Sequence, residues 1–372
     1  MARARSLLAA LVAAALAAPG RLPAAQTPAP PSGPPFDVTS PTPHAVSMTV
    51  DTAPARDFLA LVGAGETAPA ALRRLKASRP VLLSLEAEER PVEPFFGRLV
   101  AFAAGTPDPL LAGIKSQAEA LGKLLDAMET EGTAGALVVG RRIASLLPAS
   151  PPLRSRLSIV PLFGVGGFTE VRAVEEGDQV FLVCDLSRIL ADSRGTTPPR
   201  ESVLKVLRAA GSEAWRKLFG EGTRKSPAWP ARGDATFDEL LARTVSEGAA
   251  SLFLFPDEFF PLSTLLEEPI GRAFDRWNEA AELLLDPKLK EEDRRRLLDS
   301  ASRADFWSRF DAVVGAQMTE TILRRSGQAA YVKALAEGPR AVVSLYAGIA
   351  KQAKSPQLGK AARKALEAPP SS

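Results

Sequence analysis

Apolar residues recur at helical spacing through most of this chain, and the window from Arg156 to Leu186 breaks that pattern. There RLSIVPLFGVGGFTEVRAV and QVFLVCDL are rich in β-branched and aromatic residues, which suit a pleated, half-buried surface. Glu175-Glu176-Gly177-Asp178 reads as a turn between them, so the window predicts a small antiparallel sheet. The expected class is mainly α with that sheet attached, an α+β fold.

The flanking helices follow from spacing and end signals. AVSMTVDTAPARDFLALV alternates and then moves to helical steps at Phe58, Leu59 and Val62, predicting a short strand that leads into a helix. Pro69 to Lys76 continues as helix. So does Leu110 to Met128, where Leu110, Ile114, Ala118, Leu121, Leu125 and Met128 form one stripe. Beyond the sheet, Thr197 can cap a helix whose first position suits Pro198 and whose first turn holds Glu201. Thr236-Phe237-Asp238-Glu239 has the capping-box spacing just before Leu240 and Leu241. In DFWSRFDAVVGAQMTETILRRSG, Phe310, Val314, Met318 and Ile322 share a face, and Arg324, Arg325 and Gly327 supply a C-terminus. The sequence has no repeat and no heptads.

With 372 residues and 46% hydrophobic content, the chain can bury a sizeable core. Residues 1–25 read as a secretory signal: Arg3 and Arg5 precede an apolar run from Leu7 to Ala18, and small residues suit cleavage near Ala25. The run falls short of the roughly 20 apolar residues of a membrane span, so no transmembrane segment is expected after cleavage. No cysteine adjoins it to take a lipid. Residues 26–45, opening QTPAPPSGPPF, read as a Pro-rich linker. A single domain is expected over 46–368, with its sheet at about 156–186, candidate-site helices at about 198–255 and C-terminal helices at about 264–368. An exported protein, periplasmic or extracellular, follows. Cleavage also removes Arg3, Arg5 and Arg21, leaving 43 basic against 43 acidic residues. Runs such as Arg294 to Arg296 are interleaved with acids, as on a solvated helix face, so nucleic acid is not an expected partner.

Cys184 is the only cysteine, which excludes an intramolecular disulfide; it reads as a buried strand residue, with no histidine near to activate it. His44, the only histidine, lies ahead of the expected fold and reads as a bystander. GVGG at Gly164 to Gly167 lacks the lysine and following helix of a phosphate loop and reads as a bulge or turn. Asp257-Glu258 marks a helix exit after Pro256. Phe253, Phe255, Phe259 and Phe260 read as core, or as an exposed patch that receives a peptide.

The remaining candidate is SEAWRKLF at 212–219. A zinc peptidase of the His-Glu-x-x-His type needs imidazoles at i and i+4, which share one helix face, with the Glu as general base toward metal-bound water. Taken in order, SEAWRKLF, TVSEGAASLF (244–253), VGAQMTETILRRSG (314–327) and AEGPRAVVSLY (336–346), preceded by VSMTVDTAPARDFLALV, resemble a bacterial domain-of-unknown-function family of gluzincin-like zinc-dependent peptidases. That resemblance implies a zincin-type architecture, with Glu213 at the general-base position and Glu247 at the third-ligand position. Ser212 and Arg216 stand where the two histidines should be. A hydroxyl is a poor zinc ligand and a guanidinium repels the ion. The implied protein is therefore a pseudoenzyme with vestigial ligand positions Ser212, Arg216 and Glu247 and no cofactor. It would bind a peptide or protein in the old cleft, or act structurally in the cell envelope. Arg216, three residues after Glu213, is expected to bridge Glu213 and Glu247 in place of the metal. Two alternatives stay open. One is an active zinc peptidase using Glu213, Glu247 and a carboxylate such as Asp185. The other is a helical envelope domain without peptidase ancestry, in which Glu213 and Arg216 form a solvated pair.

Overall fold

The computed structural model describes residues 42–64, 69–149, 152–164, 170–191, 198–223, 228–229, 236–254, 266–302 and 306–367. Strand β1 (Ala45–Val50) leads into α1 (Ala53–Ala64), α2 (Pro69–Ala77), α3 (Arg79–Ala87), α4 (Val92–Ala103), α5 (Pro109–Ser116), α6 (Ala118–Ala127) and α7 (Thr133–Leu146). Strands β2 (Arg154–Leu162), β3 (Val171–Glu176) and β4 (Gln179–Asp185) follow. The chain continues through the short α8 (Leu186–Ile189) to α9 (Pro199–Thr223), α10 (Phe237–Leu254) and α11 (Glu267–Leu285). It ends with α12 (Glu291–Ser302), α13 (Phe310–Glu337), α14 (Pro339–Ala350) and α15 (Lys360–Glu367).

The fold is mainly helical with one small sheet, but the sheet is mixed rather than antiparallel. Its order is β1-β2-β4-β3, with β1 parallel to β2, β2 parallel to β4, and β3 antiparallel to β4. The hairpin thus joins VRAVEE to QVFLVCD, and RLSIVPL lies between two parallel neighbours. Gly177 at φ +61 takes the first central position of the two-residue hairpin turn, where a side chain would be strained. The placement of β2 has a sequence cause. Leu157 to Leu162 are all buried, the continuous run of a strand covered on both faces rather than the alternation of one. Pro161 is tolerated there because β1 stops pairing at Val50↔Ile159, so that flank of β2 has no ladder bond to lose. Helix α7 lies against β1: a Cβ on Gly140 would stand 3.3 Å from Met48 Cβ and 3.4 Å from the Val46 carbonyl oxygen. A helix lying this close shields the strand from pairing with another chain.

The stripe from Leu110 to Met128 proves to be two helices. Asp108 caps α5 by accepting from Leu111 N, and Gln117, at φ −106 and ψ 8, separates α5 from α6. Each helix then sets its own face, burying Leu111, Ile114, Leu124 and Leu125 while Leu110 is exposed. Helix α9 starts at Pro199 rather than Pro198; Thr197 lies outside the described residues. Thr236 Oγ1 accepts from Glu239 N at 3.3 Å, whereas the Glu239 side chain turns to Arg243. In α13 the helical path breaks at Gly327 (φ 82, ψ 167) and resumes at once. Its first half is buried on all sides, Val313 and Ala316 as well as Phe310, Val314, Met318 and Ile322, which makes it the centre of the core.

His44 is no bystander. It is buried, its Nδ1 accepts from Leu153 N at 3.0 Å, and Thr42 Oγ1 donates to the Ala144 carbonyl. The packed chain therefore takes in Thr42 to Ala45, ahead of the Val46 start read from the sequence. Gly164 has φ +66, as a turn requires, but the rest of GVGG and the pair Asp257-Glu258 lie outside the described residues, as do Phe255, Phe259 and Phe260. Phe253 is core.

Candidate functional site

Helix α9 is seated between α7 and α10 by a missing side chain: a Cβ on Gly211 would come within 2.9 Å of Val139 and 3.3 Å of Phe253. Trp215, fully buried, stacks on Phe219 at 4.8 Å and donates from Nε1 to the Ser246 carbonyl at 3.2 Å. That bond sets the register of α9 on α10, and the next residue of each helix forms the site. Arg216 Nε donates to Glu247 Oε1 at 3.0 Å and Oε2 at 3.1 Å, and Nη2 donates to Oε2 at 3.0 Å. Arg216 Nη1 reaches Glu213 Oε2 at 3.4 Å. The structure thus brings Glu213, Arg216 and Glu247 together, with the guanidinium between the carboxylates.

Helix α10 meets α13 through bare backbone. A Cβ on Gly248 would fall 2.3 Å from the Gly315 carbonyl carbon, and one on Gly315 would fall 1.9 Å from the Thr244 oxygen. Only glycine allows this approach. It carries the start of α13 to the same carboxylate: Arg309 Nη2 lies 3.1 Å from Glu247 Oε2, and Arg309 Nε lies 3.6 Å from Asp311 Oδ1. Neither Arg309 nor Asp311 was read as a site residue. The available signal was Arg-Phe-Asp opening the uncharged run from Ala312 to Thr319, because a charge at the mouth of a buried helix must be paired.

Glu213, Arg216, Glu247, Arg309 and Asp311 form a chain of alternating charge across three helices. Side-chain exposure falls from 28% at Glu213 to none at Asp311, so the inner members are largely withdrawn from water. Burial pushes the Glu247 carboxyl up, but Arg216 and Arg309 outweigh it and hold the group below the ordinary carboxylate range. Burial likewise opposes charge on Arg216, and Glu247 with Glu213 overcomes it. Glu247 therefore has no proton to give near neutral pH.

The residues present do not fit a divalent ion. Arg216 sits on both carboxylates that would have to bind it, and Ser212 is fully buried, its Oγ without a hydrogen-bond partner among the described residues. No group of three or more His, Cys, Asp or Glu is placed to hold a metal among the described residues. Asp185 is engaged elsewhere, accepting from Ser187 N at 3.0 Å and Gly164 N at 3.1 Å. Cys184 is wholly buried in β4, and burial, with smaller effects from Asp185 and Glu213, pushes its thiol up, far from a reactive thiolate. Comparison with known proteins finds no matching family model, no matching curated protein and no matching solved structure.

Proposed function

We propose that this is an exported, non-catalytic protein with a gluzincin-like peptidase framework, in which an ion-paired helix junction replaces the zinc site. Its role is to bind a peptide or protein, or to act structurally, in the cell envelope. The observation that carries this reading is the Arg216 guanidinium, 3.0 Å from Glu247 and 3.4 Å from Glu213. A permanent cation there supplies the positive charge a divalent ion would bring, without a coordinated water or Lewis acidity. Export rests on Arg3, Arg5 and the apolar run from Leu7 to Ala18. No described helix is long and apolar enough to cross a membrane.

The test is metal analysis of the purified protein together with a peptide-cleavage assay on wild type and Glu213→Gln. The expected result is zinc well below one ion per chain and no cleavage by either form. One zinc per chain, with cleavage that disappears in Glu213→Gln, would sink the reading.

A further inference from the structure

A cavity of about 510 Å³ opens where β1 and β2 begin, and it shares no residue with the Arg216 junction. Its lining includes Thr42, Ser47, Arg141, Arg154, Arg156 and Asp178. The strand register explains the space. Ala45 pairs with Arg154 and Ser47 with Arg156, so small side chains on β1 lie beside two long cationic ones on the same sheet face. Arg141 is added from α7, the helix that lies against β1.

The charge of this cavity is unbalanced. Three guanidiniums line it against one carboxylate, Asp178, and Arg156 already holds Asp178 at 2.5 Å. Arg141 and Arg154 are exposed and have no carboxylate partner among the described residues. By contrast, Arg56 lies on Asp126 and Glu129, and Arg74 lies on Asp57. Unpaired guanidiniums lining one concave surface raise the local positive potential and offer forked donors that match carboxylate and phosphate oxygens. The volume is that of a small-molecule site.

We infer that this cavity binds a small anionic ligand carrying carboxylate or phosphate groups, with Arg141 and Arg154 as its main contacts and Ser47 as a neutral hydroxyl beside them. The site is independent of the proposed function: a zinc-bearing Arg216 junction would leave it intact.

The test is calorimetric titration of the full protein with citrate and, separately, with inorganic phosphate. Saturable binding is expected for at least one probe, and which one binds identifies the chemistry. Arg141→Ala and Arg154→Ala should each weaken it about tenfold or more, the loss of one charge-assisted hydrogen-bonding group. Arg154→Lys, which keeps the charge but loses the fork, should fall between. Arg73→Ala, which removes an exposed guanidinium on α2, should change nothing. Circular dichroism spectra of the variants check that each is folded, which their exposed positions favour. Absence of saturable binding by both probes at millimolar concentration would overturn the inference. So would equal weakening by Arg73→Ala, which would reduce the effect to general surface charge.

Discussion

Glu247 accepts hydrogen bonds from Arg216 and contacts Arg309 while only 16% of its side chain is exposed. Its loss takes the shared carboxylate from two poorly solvated cations and leaves each only a longer contact, with Glu213 at 3.4 Å and Asp311 at 3.6 Å. Glu247→Ala is expected to lower stability by about 3–5 kcal/mol in urea unfolding. Adding Arg216→Ala should recover part of that loss, because removing both partners strands less charge than removing one. A loss below about 1 kcal/mol would mean that water screens the junction as it does a surface pair. His44 carries a different expectation. Burial lowers its pKa from 6.5, with weaker opposition from the carbonyls of Pro148 and Leu147, and its Nδ1 is already occupied by the Leu153 N–H. The unfolded chain therefore takes up a proton more readily than the folded one. The contribution of His44 is complete above pH 6.5 and is lost as pH falls through the lowered folded value. Urea midpoints at about pH 7.5 and about pH 5 should differ more in wild type than in His44→Gln, and equal differences would remove His44 as the cause. The two residues also differ in legibility. Arg216 could be matched to Glu213 by its i, i+3 spacing, whereas its match to Glu247 was an expectation from the resemblance alone. The partner of His44 lies 109 positions on, and its Pro-rich neighbours give no local pattern to betray the contact.

Among the helices, the crossing of α10 on α13 depends on Gly248 and Gly315. A methyl group on either would strike backbone, which cannot rotate away as a side chain can. Gly248→Ala should therefore cost more than the usual overpacking penalty, upward of about 3 kcal/mol, or prevent folding. Gly271→Ala on α11 provides the contrast. Nothing lies within 4 Å of a Cβ there, so better helix propensity should leave stability unchanged or raise it by up to about 1 kcal/mol. Thermal melts of both variants check the pair, and similar losses in the two would mean that backbone contact is not what sets the crossing. Gly248, Ala249 and Ala250 beside Glu247 suit close packing, but no local pattern names their partner, because Gly315 lies on an element far along the chain. The sheet itself was read, but its mixed arrangement was missed for a related reason. The turn at Gly177 gave the hairpin, a local feature, whereas the parallel pairing of β1 with β2 joins segments separated by seven helices. A continuous apolar run such as that of β2 does not state which neighbours it will have.

At the scale of the molecule, one hydrophobic core extends from Met48 on β1 to Ala362 on α15, and Glu247 marks where three of its helices are fastened. The mainly helical class was legible because apolar helical spacing continues on both sides of the strand window. The junction gives that core a property that a metal centre would not. Its cations are covalent parts of the chain, so stability should not depend on any divalent ion. A structural ion present at a thousand times its Kd would contribute about 4 kcal/mol to unfolding, and stripping it would lower Tm by several degrees. Melting curves in excess EDTA and in added zinc are therefore expected to coincide to within about 1 °C, well below the shift such an ion would produce. Arg216→Ala should melt lower in both, by the same amount, because, of the carboxylates that remain at the junction, Glu247 and Asp311 still lie on Arg309, which leaves zinc no open set of ligands. A wild-type Tm that falls in EDTA and returns with zinc would show that an ion, rather than Arg216, fastens these helices.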